Sequence, residues 1–144
     1  MENDASFWII AYKKNEYDEN EYLLINQKSI NWNFWWFPKW HAENWEDWIT
    51  AAKREFLEEV WISNVKLLWE KSFINKYSFK NWEKTIIKTV TYRIWKIENQ
   101  EVKIQEEELN WYKRANYLNA QKILTHKNNK EILEHANEYI KSQK

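Results

Sequence analysis

The sequence contains no glycine and no cysteine, and only one proline, Pro38, among its 144 residues. Without cysteine it can form neither a disulfide bond nor a thiolate metal site, a composition typical of a reducing compartment. Average usage would supply glycine at about 7%, so any turn that requires a positive φ must use another residue type. Tryptophan is at the other extreme, with 12 copies.

Long apolar runs and an excess of one charge are also missing. No stretch approaches the roughly 18 apolar residues of a transmembrane helix, and the apolar run in the acidic start MENDASFWIIAY is too short for a signal peptide. The 22 basic and 22 acidic residues balance, so no global positive field favours nucleic acid, although local basic clusters can hold phosphates. We therefore expect a cytoplasmic protein with no membrane contact and no stable nucleic-acid partner. The oligomeric state stays open.

The length predicts a single domain, residues 1–144, large enough to bury a sizeable core. Segments rich in β-branched and aromatic residues, separated by polar turns, predict strands. These segments are 6–14, 21–27, 33–38, 64–79, 84–99 and 111–118.

Two further segments, 47–60 and 129–144, have helical periodicity. The apolar residues expected to face the core are Ile49, Ala52, Phe56 and Val60 in the first segment and Ile132, Leu133, Ala136 and Ile140 in the second. Strands with one central and one terminal helix predict an α/β layer fold with a mixed sheet.

The central helix carries three glutamates on one face. Glu55, Glu58 and Glu59 stand at positions i, i+3 and i+4, within an arc of about 100°. Like charges at this spacing repel each other by a few tenths of a kcal/mol per pair. A solvated acidic face is the simplest interpretation of the spacing alone. The alternative is a divalent cation, since Mg²⁺ prefers carboxylate oxygens while keeping waters and phosphates as ligands, with Arg54 orienting the cluster.

A wider pattern around these glutamates resembles the signature of the Nudix hydrolases. That signature is Gly, five residues, Glu, seven residues, Arg-Glu, an apolar residue, any residue, Glu-Glu, any residue, Gly and an apolar residue. Laid on residues 40–62, it is matched by Glu46, Arg54, Glu55, Phe56, Glu58, Glu59 and Ile62. Both glycine positions hold tryptophan, Trp40 and Trp61. The resemblance implies the Nudix fold, a mixed β-sheet sandwiched between helices, over residues 1–144.

The run just upstream of the signature is similar to one in the asymmetric diadenosine tetraphosphate (Ap4A) hydrolases. In FWWFPKWH, residues 34–41, that family's Trp, Phe-Pro-Lys and His are present, while Trp36 and Trp40 replace glycines. The resemblance implies Mg²⁺-dependent cleavage of Ap4A to ATP and AMP, with Mn²⁺ as an alternative ion. Other Nudix substrates, such as RNA 5′ ends or nucleoside diphosphate derivatives, remain open. So does a nucleotide-binding module disabled by Trp40 and Trp61.

Residue roles follow from the same resemblance. Glu58 and Glu59 are the expected metal ligands, and Glu55 is a further ligand or the general base. Lys39 and His41 are expected to face the substrate phosphates, with Tyr77 as the candidate for stacking on adenine. The remaining expected residues are Glu46 in a structural role and Glu108 as a remote metal ligand, with its neighbours Glu106 and Glu107 as alternatives.

Several tryptophans stand where this family tends to have glycine. Trp61 falls at the C′ position of the predicted helix, where the left-handed conformation strains any residue with a Cβ by roughly 1–2 kcal/mol. The other positions are Trp8, Trp36, Trp40 and Trp45, and the turn KNWE around Trp82 would also suit Asn-Gly. UGA codons read as glycine in one genetic code and as tryptophan in another would produce this pattern; engineering is the alternative.

Overall fold

A computed structural model describes residues 2–27, 35–40, 48–63, 65–97, 102–104 and 109–142. Within these residues, nine elements follow one another along the chain. The strands are β1 Glu2–Lys14, β2 Asn20–Gln27, β3 Lys39–Trp40, β4 Val65–Asn81, β5 Lys84–Ile97 and β6 Leu109–Asn116, and the helices are α1 Trp48–Val60, α2 Tyr117–Ile123 and α3 Lys127–Ser142. None of these helices is long and apolar enough to cross a membrane.

The described strands form one mixed sheet. Its order is β4-β5-β1-β2-β6, and β3 pairs with β1 outside this path. The β1–β5 pair is parallel, whereas the pairs β1–β2, β1–β3, β2–β6 and β4–β5 are antiparallel. A parallel pair needs a crossover connection, and α1 lies in the chain between β1 and β5.

Helices cover both faces of the sheet. Successive side chains along the central strands point to opposite faces, so they divide between two apolar clusters. On one face, Ile9 and Ala11 pack with α1 residues Ala52, Phe56 and Val60. On the other face lie Ile10, Tyr12, Tyr92 and Ile94, packed with Ala120 of α2 and Leu133, Ala136 and Ile140 of α3. The predicted α/β fold, a mixed sheet sandwiched between helices, is confirmed.

The predicted third strand and the last strand differ in detail from the structure. In the described part of 33–38, Trp36 makes an isolated bridge with Ile25, and the regular strand β3 begins only at Lys39. The strand predicted at 111–118 ends at Asn116, because the Asn116 side chain accepts a hydrogen bond from the backbone N–H of Asn119 and caps α2. Asparagine is among the preferred N-cap residues.

The β4–β5 hairpin turns at Trp82 and Glu83, between the paired residues Asn81 and Lys84. Trp82 has φ 59°, in the left-handed region that glycine tolerates without strain. A two-residue hairpin turn with a positive φ at its first position matches the type II′ pattern, which favours glycine there. The Trp82 side chain is 93% exposed, so little packing offsets the strain.

We expect Trp82→Gly to stabilise the protein by about 1 kcal/mol. The left-handed conformation costs a residue with a Cβ roughly 1–2 kcal/mol, and the greater freedom of glycine in the unfolded chain cancels part of that gain. Urea denaturation measures the change. The control is Trp111→Gly on β6, an exposed tryptophan without positive φ, which should lower stability. A loss of stability at both positions would contradict the assignment of strain to Trp82.

Two buried tyrosines connect the sheet to α3. The Tyr22 hydroxyl donates to Asn137 Oδ1 at 2.5 Å, and the Tyr92 hydroxyl donates to Asn129 Oδ1 at 2.9 Å. Burial raises the pKa of Tyr92 from 10.0 to about 12, with a smaller contribution from Tyr77. Burial likewise raises the pKa of Tyr22 above its usual range. The folded state therefore favours the neutral phenols.

This shift predicts alkaline destabilisation. Because the folded-state pKa of Tyr92 is raised, its contribution is complete below about pH 10 and is lost as the pH rises towards about 12. The free energy of unfolding, measured in urea, should fall in this window by roughly 1.4 kcal/mol per pH unit for each such tyrosine. Tyr92→Phe should make the fall shallower, whereas Tyr17→Phe in the exposed β1–β2 turn should not. Identical profiles for the two variants would contradict the prediction.

Candidate active site on helix α1

Helix α1 is held against the sheet by its apolar stripe. Ala52, Phe56 and Val60 are buried, and the ring of Phe56 meets the indole of Trp95 on β5 edge to face, with centroids 5.4 Å apart. This packing fixes the rotation of the helix about its axis. The positions next to the stripe therefore have a defined orientation relative to the sheet.

The three glutamates differ in burial because they stand at different distances from that stripe. Glu59, next to Val60, is 8% exposed, Glu55 is half-buried, and Glu58 is exposed. A carboxylate as buried as Glu59 is uncommon and needs polar or ionic partners. The glutamate face of α1 is thus partly buried. The simplest interpretation of the sequence, a fully solvated acidic face, does not hold for Glu59.

Arg54 contacts one member of the group directly. Its Nη1 atom lies 3.3 Å from Oε1 and 3.4 Å from Oε2 of Glu58, at the favourable i, i+4 helical spacing. Both side chains are partly solvated, so the pair contributes less than about 1 kcal/mol to stability. Its main consequence is to restrict the position of the Glu58 carboxylate.

The structure does not bring all the expected ligands together. Within the described residues, no group of three or more histidine, aspartate or glutamate side chains converges enough to hold a metal ion. His41, Glu46 and Glu108 lie outside the described residues. The roles expected for the α1 glutamates therefore remain predictions, supported by a shared helical face of hard oxygen donors suited to Mg²⁺.

Strand β3 places Lys39 near this helix. Lys39 pairs in register with Trp8, and Trp40 pairs with Phe7, while β3 contacts α1. The chain segment expected to face the phosphates thus enters the sheet beside the glutamate helix. The contact of the Lys39 side chain with substrate stays a prediction.

Tyr77 lies on the other face of the sheet. Residues two apart on a strand share a face, so Tyr77 belongs with Phe73, which packs against the cluster beneath α3. Helix α1 covers the opposite face. Tyr77 is also 46% exposed. Its proposed stacking on adenine is untested, and its position does not join it to α1.

Helix α1 ends at a tryptophan in the left-handed conformation. Trp61 has φ 64°, and its N–H donates to the carbonyl of Leu57 at 2.9 Å. This 5→1 bond is the αL capping motif, whose C′ residue is usually glycine. The expected left-handed C′ position is confirmed, and a Trp side chain stands directly after Glu59 and Val60.

Two other tryptophans at expected glycine positions are accommodated differently. Trp8 and Trp36 meet edge to face with centroids 5.0 Å apart. Trp8 packs against both apolar clusters, and Trp36 is buried in the cluster beneath α1. The buried indole Nε1 of Trp8 has no hydrogen-bond acceptor among the described residues, which is unfavourable by roughly 1–3 kcal/mol. The fold thus accommodates a tryptophan side chain at both positions.

Comparison with known families identifies the domain. The sequence profile of the NUDIX domain matches residues 5–136. The chain belongs to the Nudix family. A search of curated protein sequences found no match. The Nudix family and fold support pyrophosphohydrolase chemistry on nucleotides, a reaction class that typically uses a divalent metal ion.

Solved structures with the same fold include several Nudix proteins. An Ap4A hydrolase binary complex from C. elegans matches with a TM-score of 0.79 and 21% identity, over 96% of this chain and 98% of that one. A NUDIX hydrolase from Listeria monocytogenes has a TM-score of 0.74 and 20% identity, over 95% and 94%. The NUDIX domain of Shewanella oneidensis NrtR, complexed with ADP ribose, has a TM-score of 0.70 and 11% identity, over 97% and 90%. At these identities the similarity establishes the fold alone.

Proposed function

We propose that this Nudix protein hydrolyses Ap4A asymmetrically to ATP and AMP in a Mg²⁺-dependent reaction. The observation that carries the proposal is the glutamate face of α1, with Glu59 buried and Arg54 fixed on Glu58. The FPK-x-H run of residues 37–41 supports Ap4A as the substrate. The fold shared with Ap4A hydrolases agrees with this choice.

Each residue has a distinct role in the proposal. Glu58 and Glu59 hold the Mg²⁺, with Glu108 as a remote ligand; Glu55 is either a ligand or the base that takes the proton of the attacking water. When bound, Mg²⁺ neutralises phosphate charge and lowers the pKa of a coordinated water. Lys39 and His41 hold the phosphate chain, since positioning and electrostatics supply most of the rate in phosphoryl transfer.

The left-handed Trp61 favours a second candidate, a nucleotide-binding Nudix module with little turnover. Strain at Trp61 sits at the end of the helix that carries the glutamates, and β3 places Trp40 next to that helix. Glycine at both positions relieves the strain at Trp61 and removes the bulk of two tryptophans. We therefore expect Trp40→Gly/Trp61→Gly to turn over Ap4A faster than the unchanged sequence.

The test incubates both proteins with Ap4A and Mg²⁺ and separates the products by ion exchange. Equal amounts of ATP and AMP are expected, whereas ADP as the main product would contradict asymmetric cleavage. Turnover in neither protein would overturn the Ap4A assignment. Binding of Ap4A without turnover in both would instead select the nucleotide-binding module. A parallel panel of ADP-ribose and 5′-triphosphorylated RNA tests the other Nudix substrates.

A further inference from the structure

A cleft of about 730 Å³ lies at the end of the sheet where β1 turns into β2. The β1–β2 turn, the junction of β6 with α2 and the C-terminal half of α3 form its walls. Small-molecule sites usually measure roughly 300–1,000 Å³, so the cleft has the size of a ligand site. We call it the α3 cleft, and the lining residues that matter most below are Glu19, Tyr117, Leu118, Asn137 and Ile140.

The α3 cleft is remote from the glutamates of α1. Lys14 on the cleft wall is six residues beyond Trp8, the strand partner of Lys39, which corresponds to about 20 Å along β1. Asn137 and Ile140 reach the cleft from α3, which covers the face of the sheet opposite α1. The cleft is therefore separate from the proposed active site.

A buried amide of α3 lies on the cleft wall. Asn137 is 5% exposed, and its Oδ1 atom accepts the hydrogen bond donated by the Tyr22 hydroxyl. Because burial raises the pKa of Tyr22 above its usual range, this hydroxyl stays a donor at neutral pH and holds the amide in one orientation. The Asn137 Nδ2 atom has no acceptor among the described residues. An unpaired buried donor is unfavourable, so the cleft favours a ligand that carries an acceptor.

The side chains around this amide suit a flat ring. Tyr117 is half-buried, and its hydroxyl accepts a hydrogen bond from Nε2 of Gln121 at 3.1 Å, which restricts the position of the ring. Ile140 is buried, and Leu118 is 70% exposed. Apolar walls with a few polar groups that fix orientation are typical of sites for small organic molecules.

The charges on the cleft wall balance. The charged lining residues are the cations Lys14 and Lys141 and the carboxylates Asp18 and Glu19. Lys14 Nζ lies 3.2 Å from Asp18 Oδ1, so this lysine is already paired. The lining therefore offers no net attraction to a phosphate, whereas a carboxylate can accept hydrogen bonds from the hydroxyls of a ribose. This balance favours an uncharged ligand with hydroxyl groups.

We propose that the α3 cleft binds an uncharged nucleoside, with the base against Tyr117 and Ile140 and an acceptor atom of the base on Asn137. Every nucleobase offers a carbonyl oxygen or a ring nitrogen as that acceptor. Glu19 accepts hydrogen bonds from the ribose hydroxyls. The simpler alternative is a solvated groove in which Asn137 only links α3 to β2, and the experiment must separate the two.

The test is equilibrium dialysis against tritiated adenosine, guanosine, uridine and cytidine, with EDTA in place of divalent cations. At least one nucleoside should bind saturably, at one site per chain. Its 5′-monophosphate should bind no more tightly, because the balanced charges do not attract the phosphate. A monophosphate that binds more tightly than its nucleoside, or no saturable binding by any of the four nucleosides, would overturn the proposal.

Asn137→Asp keeps an oxygen for the Tyr22 hydroxyl and removes the amide N–H groups, so it should weaken nucleoside binding about 10-fold. Asn129→Asp is the matched control. Asn129 is also a buried α3 residue that accepts from a tyrosine, Tyr92, but it does not line the cleft. Equal weakening by the two variants would contradict a contact between Asn137 and the ligand.

A surface pair tests the cleft without changing the core. Glu19→Gln should weaken nucleoside binding about 5-fold, since it removes a charged acceptor. Glu16→Gln in the same turn, exposed and outside the cleft lining, should bind as the unchanged protein does. Equal binding by both variants would overturn the assigned role of Glu19 and, with it, the proposed pose.

The proposal does not depend on hydrolysis. Glu58→Gln/Glu59→Gln should leave nucleoside binding unchanged, and loss of binding in this variant would place the nucleoside at α1 and overturn the proposal. Ap4A turnover is measured separately, so a failure of the cleft to bind would leave the Ap4A assignment untouched.

Discussion

Replacing Glu59 by glutamine is expected to lower kcat for Ap4A hydrolysis by roughly 100- to 1,000-fold, a decrease comparable with removing one preorganised electrostatic group from an active site. Glutamine keeps the shape of the side chain but removes the negative charge, so the change should act on the proposed metal binding more than on packing. The near-complete burial of Glu59 leaves little solvent to take the place of the lost carboxylate oxygen. The assay is best run in the Trp40→Gly/Trp61→Gly protein.

The control for this experiment is Glu134→Gln on α3, an exposed glutamate on the other side of the sheet, which should leave kcat unchanged. Glu58→Gln should also lower kcat, and it additionally releases Arg54. Comparable circular dichroism and denaturation midpoints would show that the variants fold alike. Near-normal turnover of a folded Glu59→Gln protein would remove Glu59 from the proposed site.

Trp95→Ala is expected to destabilise the protein by about 3–5 kcal/mol, the range for truncating a large aromatic residue in a core. Trp95 is 0% exposed and its ring packs edge to face on Phe56. The substitution therefore opens a cavity between α1 and β5 and loosens the support of the glutamate helix. Urea denaturation measures the decrease in stability.

The matched substitution Trp111→Ala changes the same residue type at an exposed position on β6, and surface changes of this kind usually stay within about 0.5 kcal/mol. Similar effects at the two positions would contradict the described packing of Trp95. Together with Trp82→Gly, the substitutions Trp95→Ala and Trp111→Ala separate tryptophans that stabilise the fold from those that do not. Trp95 falls in the first group and Trp82 in the second.

Local pattern predicted the fold well where one element buries one face. The apolar stripe of α1 and the apolar run of β1 could be predicted from residue spacing alone, because burial follows helical or strand periodicity. The seven-residue helix α2 was missed because Tyr117 and Leu118 extend the strand-like run of β6. Only Ala120 of α2 is buried, so no apolar stripe marked it as a helix.

The site could be predicted only in its local part. Spacing along one helix placed Glu55, Glu58 and Glu59 on one face, and the structure agrees. Sequence could not show that Glu59 is buried or that Tyr77 lies on the face opposite α1, because both depend on how distant strands pair. The hydrogen bonds from Tyr22 to Asn137 and from Tyr92 to Asn129 could not be predicted from the sequence for the same reason.

The backbone conformation supports the interpretation that tryptophan stands at glycine positions. Among the described residues, the positive φ values belong to Asp18, Trp61 and Trp82. Two of the three are therefore tryptophan, a bulky residue for which this conformation is unfavourable. Both positions favour glycine on conformational grounds. UGA codons at positions 40, 61 and 82 would explain the substitutions by decoding, whereas UGG codons at all three would exclude that explanation.

We propose that the glutamate face of α1 holds a divalent cation. Titration with Mn²⁺, followed by the electron paramagnetic resonance of the free ion, tests it without requiring turnover. We expect the protein to bind Mn²⁺, Mg²⁺ to compete for the site, and Glu58→Gln/Glu59→Gln to abolish the binding while Glu134→Gln keeps it. Equal Mn²⁺ binding by the double variant and the unchanged protein would contradict a cation site on α1.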